Sequence, residues 1–252
     1  AIFEFMKVSE TISTAMMAKA TSQELLQVAR QDGMLTLLED GSILSSGKHP
    51  DRDVYRVTAP LTGKDSSLFL LEMLPHESMF GGSVGRGTTG QAVITEFEVI
   101  SIDESGSTQP VPLREAVVDF AQVIGNSLVF DGGNVIDGDS KNDQLGWAVA
   151  PRLQDRHVLM VRPEKPIPEN SAALTFVIRQ DHFNNAHPKG LLVGRFRLSV
   201  TDDPQVFERE KTRLAALKSD NPWLRLALAR LIRGDRTGTA ANLALAFQRG
   251  VD

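Results

Sequence analysis

The sequence predicts a mainly β protein: an antiparallel β-sandwich or jelly roll with short α-helical segments at its N-terminal and C-terminal ends. Between about Leu35 and Thr201, eight or more runs of strand length are separated by Gly, Pro and Asp turns. No helical pattern of crossover length lies between these runs, which argues against a parallel α/β sheet. The length of 252 residues and the net charge of −5 are ordinary for a globular chain of one or two domains.

Residues 1–33 are predicted to form a helical segment. A first helix over residues 10–19 has Ile12, Ala15 and Met16 on one side. A capping box over residues 21–24 opens a second helix, which ends at Gly33.

Residues 34–204 are predicted to form the β-sandwich domain. Asp40-Gly41 lies between LTLLE and SILSS, which is a two-residue hairpin signal. The further predicted strands are DVYRVTA, SSLFLLEML, QAVITEFEVISI, REAVVDFAQV, HVLMVRP, ALTFVIRQ and GRFRLSVT. The last strand alternates between two faces, which indicates one buried face with Phe196, Leu198 and Val200 and one solvated face with Arg195, Arg197 and Ser199.

Residues 205–252 are predicted to be helical. Apolar residues recur at helical spacing, Asp220-Asn221-Pro222 is a helix start, and Gly234 is a stop. We expect helices over about residues 204–218, 223–233 and 239–249. Their basic side chains are interspersed with acidic ones and the whole chain is acidic, so a solvated helix surface is favoured over nucleic-acid binding.

Composition and motifs give no catalytic residues. The chain has no cysteine, which excludes disulfides, thiolate metal sites and cysteine nucleophiles. It contains no apolar run long enough to span a membrane. The 81–85 stretch matches the G-x-S-x-G pattern around Ser83, and the 85–90 stretch matches G-x-G-x-x-G, but each motif needs a helix after it and a strand is predicted instead. We therefore predict that the protein is not an enzyme.

The 131–143 loop is a candidate calcium site. Asp137, Asp139 and Asp143 supply hard oxygen ligands within a short stretch, as calcium requires. The helix-loop-helix calcium pattern fails at Lys141, and Asp is also a common turn residue, so ordinary turns are the favoured interpretation. No other cofactor is predicted.

Three further residues are candidates for ligand binding. His182 and His187 lie in one polar loop, and because spacing identifies no third ligand, surface or hydrogen-bonding roles are favoured over a metal site. Trp147 is expected in the core, and it could stack on a sugar ring if it were exposed.

The phrases VIDGD, GWAVAP and GRFRLSVTDDP, with LLEDGSILSSGKHPDRDVYRVTA before them, resemble a β-sandwich domain of planctomycete proteins, found beside cytochrome-type, protein kinase and helical-repeat modules. The IDGD and GW phrases are also similar to galactose-binding-like jelly rolls, in which loops at one end bind carbohydrate or calcium. That resemblance implies such a role for Asp137, Asp139 and Trp147. The tail resembles a tetratricopeptide segment.

Residues 1–41 resemble the C-terminal end of type II secretion and type IV pilus assembly ATPases. The phosphate loop, acidic box and four-cysteine motif of that family are absent from the sequence. The resemblance implies helices without ATPase chemistry.

These observations predict a non-catalytic binding or protein-interaction module, with a protein or a polysaccharide as its partner. The alternatives are a carbohydrate- or calcium-binding jelly roll, and a remnant of a secretion ATPase that lacks its nucleotide site. We expect the cell envelope or periplasm rather than the cytoplasm as its location.

Overall fold

A computed structural model describes residues 27–30, 33–61, 68–139, 143–182, 190–232 and 234–248. The strands, in chain order, are β1 (Gln27–Arg30), β2 (Met34–Leu37), β3 (Ile43–Ser46), β4 (Asp53–Pro60), β5 (Leu68–Leu74), β6 (Val93–Ile94), β7 (Glu96–Asp103), β8 (Thr108–Pro110), β9 (Leu113–Val118), β10 (Gln122–Ile124), β11 (Leu128–Phe130), β12 (Trp147–Ala148), β13 (His157–Pro163), β14 (Ser171–Gln180) and β15 (Arg195–Thr201). The helices are α1 (Pro204–Lys218), α2 (Pro222–Ile232) and α3 (Arg236–Gln248). The chain divides into two compact units between Pro204 and Gln205.

The strands form two large antiparallel sheets and two small pairs. One sheet has the order β1-β4-β14-β7-β8, and the other has the order β2-β3-β15-β5-β13-β9. The pairs are β10 with β11 and β6 with β12. Successive strands pass from one large sheet to the other, as in β3-β4-β5 and β13-β14-β15. The predicted mainly β, antiparallel jelly-roll sandwich is therefore confirmed.

The core lies between the two large sheets, where alternate residues of each strand point inward. The rings of Tyr55 and Phe196 stack at 5.6 Å, and those of Phe69 and Phe176 meet edge to face at 5.7 Å. Each pair joins a residue of the five-stranded sheet to one of the six-stranded sheet. Such contacts are expected when two sheets pack face to face with interdigitating side chains.

The helix predicted from residue 21 to Gly33 is wrong over β1. Residues Gln27–Arg30 instead pair with β4, Val28 lying opposite Val57. A capping box and a few apolar residues indicate only a weak preference for helix. Pairing with β4 at the edge of the sheet outweighs that preference. The predicted helix over residues 10–19 lies outside the described residues.

The predicted hairpin at Asp40-Gly41 is confirmed, although its loop is longer than two residues. The last pair of β2 and β3 is Leu37 with Ile43. The Asp40 carboxylate accepts a hydrogen bond from the Ser42 amide at 3.0 Å, and Gly41 takes the left-handed conformation with φ of 74°. Local capping by Asp40 thus stabilises a wider turn than the dipeptide alone predicts.

The three helices predicted for the tail are confirmed. The Asn221 side chain accepts hydrogen bonds from the amides of Trp223 and Leu224 at 2.9 and 3.2 Å, which caps α2. Helix α3 begins three residues before its predicted start, because the Asp235 carboxylate caps it by accepting from the Gly238 amide at 2.8 Å. Helices α2 and α3 pack against each other. None of the described helices is both long and apolar enough to cross a membrane.

Candidate binding pocket

A pocket of about 520 Å³ lies beside the β10–β11 hairpin. The floor of the pocket is a small apolar cluster, separate from the main core. Its residues are far apart in the sequence. The members of this cluster are Val93, Phe130, Leu145, Ala148 and Leu191. All five line the pocket. The β6–β12 pair, which places Val93 opposite Ala148, therefore forms the base of the pocket.

The polar part of the lining is neutral. Three glutamines, Gln91, Gln122 and Gln144, and one histidine, His182, join the apolar residues around the pocket. The described lining contains no Asp, Glu, Lys or Arg. A glutamine amide can both donate and accept hydrogen bonds, so this rim offers paired polar groups without a fixed charge.

The β10–β11 hairpin forms one wall of the pocket by strand alternation. Gln122 pairs with Phe130 and Ile124 pairs with Leu128, and these four residues line the pocket. Between them, Val123 and Val129 pair on the opposite face. Val123 is 56% exposed and Val129 is 39% exposed. The hairpin is therefore apolar on both faces.

A short helical turn over Gly132–Val135 holds the hairpin in place. The Asp131 carboxylate caps the turn by accepting from the Gly133 amide at 2.9 Å, and Val135 is buried. The Asn134 side-chain amide donates to the carbonyl oxygens of Val129 at 2.9 Å and Gly146 at 3.2 Å. One side chain thus joins the hairpin to the segment that leads into β12.

Of the residues proposed from the sequence for ligand binding, His182 lies in the pocket. It follows β14, and its ring meets that of Phe130 edge to face at 5.8 Å. His187 lies outside the described residues.

The structure places Trp147 in the core, which corrects its assignment to a ligand site. The side chain is fully buried, and its indole N–H donates to the Phe120 carbonyl at 2.9 Å. No ring face remains for a sugar. Full burial with an internal hydrogen-bond partner is the packing role that the sequence favoured, and the condition for stacking on a sugar, exposure of the ring, is not met.

Asp137 and Asp143, two of the three aspartates proposed for calcium, have different hydrogen-bond partners. Asp143 forms an ion pair with Arg52 at 2.7 Å. A hydrogen bond from the side-chain amide of Gln144, together with Arg52, holds the pKa of Asp143 below its usual value. Asp137 accepts from the Asp139 amide at 2.8 Å, as in an ordinary turn. Within the described ranges, no three His, Asp or Glu side chains are grouped to hold a metal ion. A calcium site at these residues stays a prediction.

A buried carboxyl group next to this loop was missed by sequence reasoning. Burial, a hydrogen bond with Asp137 and the nearby charges of Asp137 and Glu98 raise the pKa of Glu96 to about 8. Glu96 lies in a predicted strand, but the strand pattern does not show that a distant loop would cover it.

The glutamine rim and the hairpin were also missed. The pattern of REAVVDFAQV predicts one strand, whereas β9 ends at Val118 and β10 begins at Gln122. The signal that could have found the hairpin is the Gly125-Asn126 turn between the apolar residues Ile124 and Leu128.

Ser83 does not form a nucleophile elbow. Its side chain is buried and its hydroxyl donates to the Gly85 carbonyl at 3.3 Å. The next regular element is the strand β6, rather than the helix that an elbow requires.

The architecture is that of an antiparallel β-sandwich with a neutral pocket at a small hairpin. Neither a protein-family model nor a curated protein matches the sequence. The comparisons thus give no support to the resemblances to planctomycete domains, tetratricopeptide segments or secretion ATPases.

Among the solved structures that align with this chain, two differ in coverage and have similarly low TM-scores. CBM32-3 from a family 31 glycoside hydrolase of Clostridium perfringens aligns with a TM-score of 0.28 and 12% identity, over 69% of this chain and 86% of that chain. The enzymatically active domain of tailspike protein 4 of bacteriophage CBA120 aligns with a TM-score of 0.27 and 9% identity, over 72% of this chain and 18% of that chain. Similarity at this level carries no inference about ligand or activity.

Proposed function

We propose that the protein is a non-catalytic binding module that takes an uncharged, hydroxyl-rich ligand, a carbohydrate, in the pocket beside β10–β11. The observation that carries the proposal is the combination of a neutral amide rim with an apolar floor in one pocket. The volume of about 520 Å³ lies within the range of small-molecule sites, roughly 300 to 1,000 Å³.

The amide rim suits hydroxyl groups. A sugar hydroxyl donates one hydrogen bond and accepts others, and the side chains of Gln91, Gln122 and Gln144 can each do both. The C–H face of a sugar ring is apolar and can lie against Ile124 and Leu128, which are exposed on the hairpin. Polar and apolar parts of such a ligand therefore each find matching groups.

The absence of charge from the described lining disfavours ionic ligands. A carboxylate or phosphate that entered this pocket would lose hydration and meet no Lys or Arg among the described lining residues. An uncharged ligand avoids that cost.

The non-catalytic part of the proposal rests on the same lining. Glycoside hydrolysis uses a pair of carboxyl groups beside the scissile bond, and the described pocket lining contains none. Its one ionisable side chain is that of His182, whose ring contacts Phe130.

The test is a glycan panel followed by isothermal titration of the sugar that binds. Gln122→Ala should weaken binding roughly five- to tenfold, since a neutral hydrogen bond contributes about 1 kcal/mol. The matched control is Gln109→Ala, because Gln109 is an exposed glutamine of β8, outside the pocket lining. Equal affinity of the two variants, or no binding across the panel, would reject the proposal.

A protein partner is the second candidate, favoured by the exposed valines on the outer face of the hairpin. Val123 and Val129 lie opposite each other and point away from the pocket lining. A Val123→Lys, Val129→Lys double variant should abolish capture of a protein partner and leave sugar affinity unchanged. If the variant loses sugar binding instead, the outer face belongs to the sugar site.

A further inference from the structure

The Gly132–Val135 turn beside the pocket is fixed in the main core of the sandwich. Val135 is fully buried there. Gly132 lies so close to its neighbours that a Cβ atom on it would be 3.1 Å from the side chain of Val118 and 3.2 Å from that of Leu159. Close packing of this kind resists displacement, so the turn is a firm support next to the pocket.

The β10–β11 hairpin has much less packing of its own. Four of its apolar side chains are exposed, those of Val123, Ile124, Leu128 and Val129. Phe130, at the end of β11, is buried in the pocket floor. Segments with few buried apolar contacts are the first to open locally. The position of this wall of the pocket therefore depends on bonds that reach the hairpin from other segments.

Asn134 supplies such bonds from the turn. Its side-chain amide donates to the carbonyl oxygens of Val129 at 2.9 Å and Gly146 at 3.2 Å. Val129 lies between two pocket-lining residues of β11, and Gly146 follows the pocket-lining Leu145. Gly146 is itself held against β6, since a Cβ atom on it would lie 2.2 Å from the Ile94 carbonyl oxygen. One amide thus ties the weakly packed wall to the firmly packed floor.

We propose that Asn134 is a positioning residue of the pocket, which holds the β10–β11 wall at the distance from the floor that a ligand needs. Asn134 is not among the described residues that line the pocket, so it acts through the hairpin. Without its two bonds, the wall is in place for only part of the time. The apparent affinity for a ligand then falls in proportion to that fraction. The effect on affinity rests on the proposed function, whereas the hold on the hairpin does not.

The first test needs no ligand and compares the full chain with Asn134→Asp by NMR relaxation dispersion of backbone amides. Asp has the shape of Asn, but its carboxylate cannot donate to the two carbonyl oxygens. The amides of Val123, Ile124 and Leu128 should gain exchange on the μs–ms timescale, while those of β13 should not. Asn134→Ala, which removes the donors without adding a charge, should have the same effect. The matched control is Asn126→Asp, the same chemical change at the exposed tip of the hairpin, which should cause no such exchange.

The second test is isothermal titration with the sugars that the glycan panel identifies. Both Asn134 variants should weaken binding about tenfold, as expected when one or two neutral hydrogen bonds are lost. The factor should be the same for every sugar that binds, because a smaller population of the binding-competent form affects all ligands alike. Gln122→Ala, which changes a group that faces the ligand, should instead alter the ratio of affinities between sugars.

Four outcomes separate the possibilities. If neither Asn134 variant shows exchange in the hairpin, or if Asn126→Asp shows the same exchange, Asn134 does not hold the wall. If the hairpin exchanges and sugar affinity stays unchanged, the positioning role is wrong. If the Asn134 variants shift the urea midpoint of the whole sandwich, reported by Trp147, by as much as they weaken binding, the residue serves the fold rather than the pocket. If no sugar binds the wild-type chain, the proposed function fails, and the exchange experiment still decides whether Asn134 holds the hairpin.

Discussion

The ion cluster around Glu72 gives the sharpest stability prediction. Glu72 lies on the central strand β5 and is fully buried, while the side chains of Arg156 and Arg197 are 8% and 12% exposed. Arg156 Nε donates to Oε1 of Glu72 at 2.5 Å, and Arg197 donates to both oxygens, through Nε at 2.6 Å and Nη2 at 3.1 Å. One carboxylate therefore compensates two nearly buried guanidinium groups.

Glu72→Gln keeps the size of the side chain and removes its charge. Breaking a buried ion pair by removing one partner costs about 3 to 5 kcal/mol, because the remaining charge is left uncompensated. Burial lowers the pKa of Arg156, and the charge and hydrogen bond of Glu72 act against that lowering. Loss of Glu72 leaves only the weaker effect of the Asp119 charge to oppose the cost of burial. We expect Glu72→Gln to lower the free energy of unfolding by about 3 kcal/mol.

The assay is urea denaturation followed by tryptophan fluorescence. The reference protein and both variants should also carry Trp223→Phe. The remaining tryptophan, the buried Trp147, then reports the unfolding of the sandwich. The matched control is Glu115→Gln, which removes the carboxylate that pairs with Arg162 at 2.6 Å; these side chains are 26% and 22% exposed, and the change should cost less than about 1 kcal/mol. If the two variants unfold at the same urea concentration, the charge of Glu72 does not stabilise the buried arginines.

Three further predictions concern the core, a close backbone contact and pH. Trp147→Phe removes the N–H bond to Phe120 and leaves a small void, and should lower stability by about 2 kcal/mol, measured by circular dichroism in urea. Gly190→Ala should lower Tm by several degrees in calorimetry, because its Cβ would lie 2.3 Å from the Asp51 carbonyl oxygen and overpacking costs about 1 to 3 kcal/mol. Since the folded-state pKa of Glu96 is near 8, above its usual 4.5, the folded chain holds a proton that the unfolded chain releases. Between these values the free energy of unfolding should fall as pH rises, by at most about 1.4 kcal/mol per pH unit, and Glu96→Gln should remove that slope in urea titrations at each pH.

The sandwich could be predicted from the sequence because its strands carry strong local signals. The stretch His157–Pro163 was predicted with the same limits as β13. Alternation in β15 predicts that Phe196 and Leu198 are buried, and they are. It is wrong at Ser199, which is also buried, and Val200 is only partly buried. Where one face of a strand is buried, apolar and polar side chains alternate along it, and this alternation can be recognised in the sequence alone.

The pocket could not be predicted, because it is assembled from short elements that the chain brings together only on folding. Strands β6 and β12 have two residues each, and β10 and β11 have three. These strands are too short to show a recognisable alternation of apolar and polar residues. The glutamines of the rim are about 20 to 30 residues apart and have no signature of their own. The protonated state of Glu96 likewise depends on a loop some 40 residues away.

Amide chemical-shift changes in NMR can map where the sugar identified by the panel binds. If the pocket beside β10–β11 holds the sugar, the changes cluster at residues 91–93, 122–130 and 144–148 and at His182, and Gln122→Ala weakens the response at all of them. Shifts confined to another face of the sandwich, such as the edge strand β1, would contradict it.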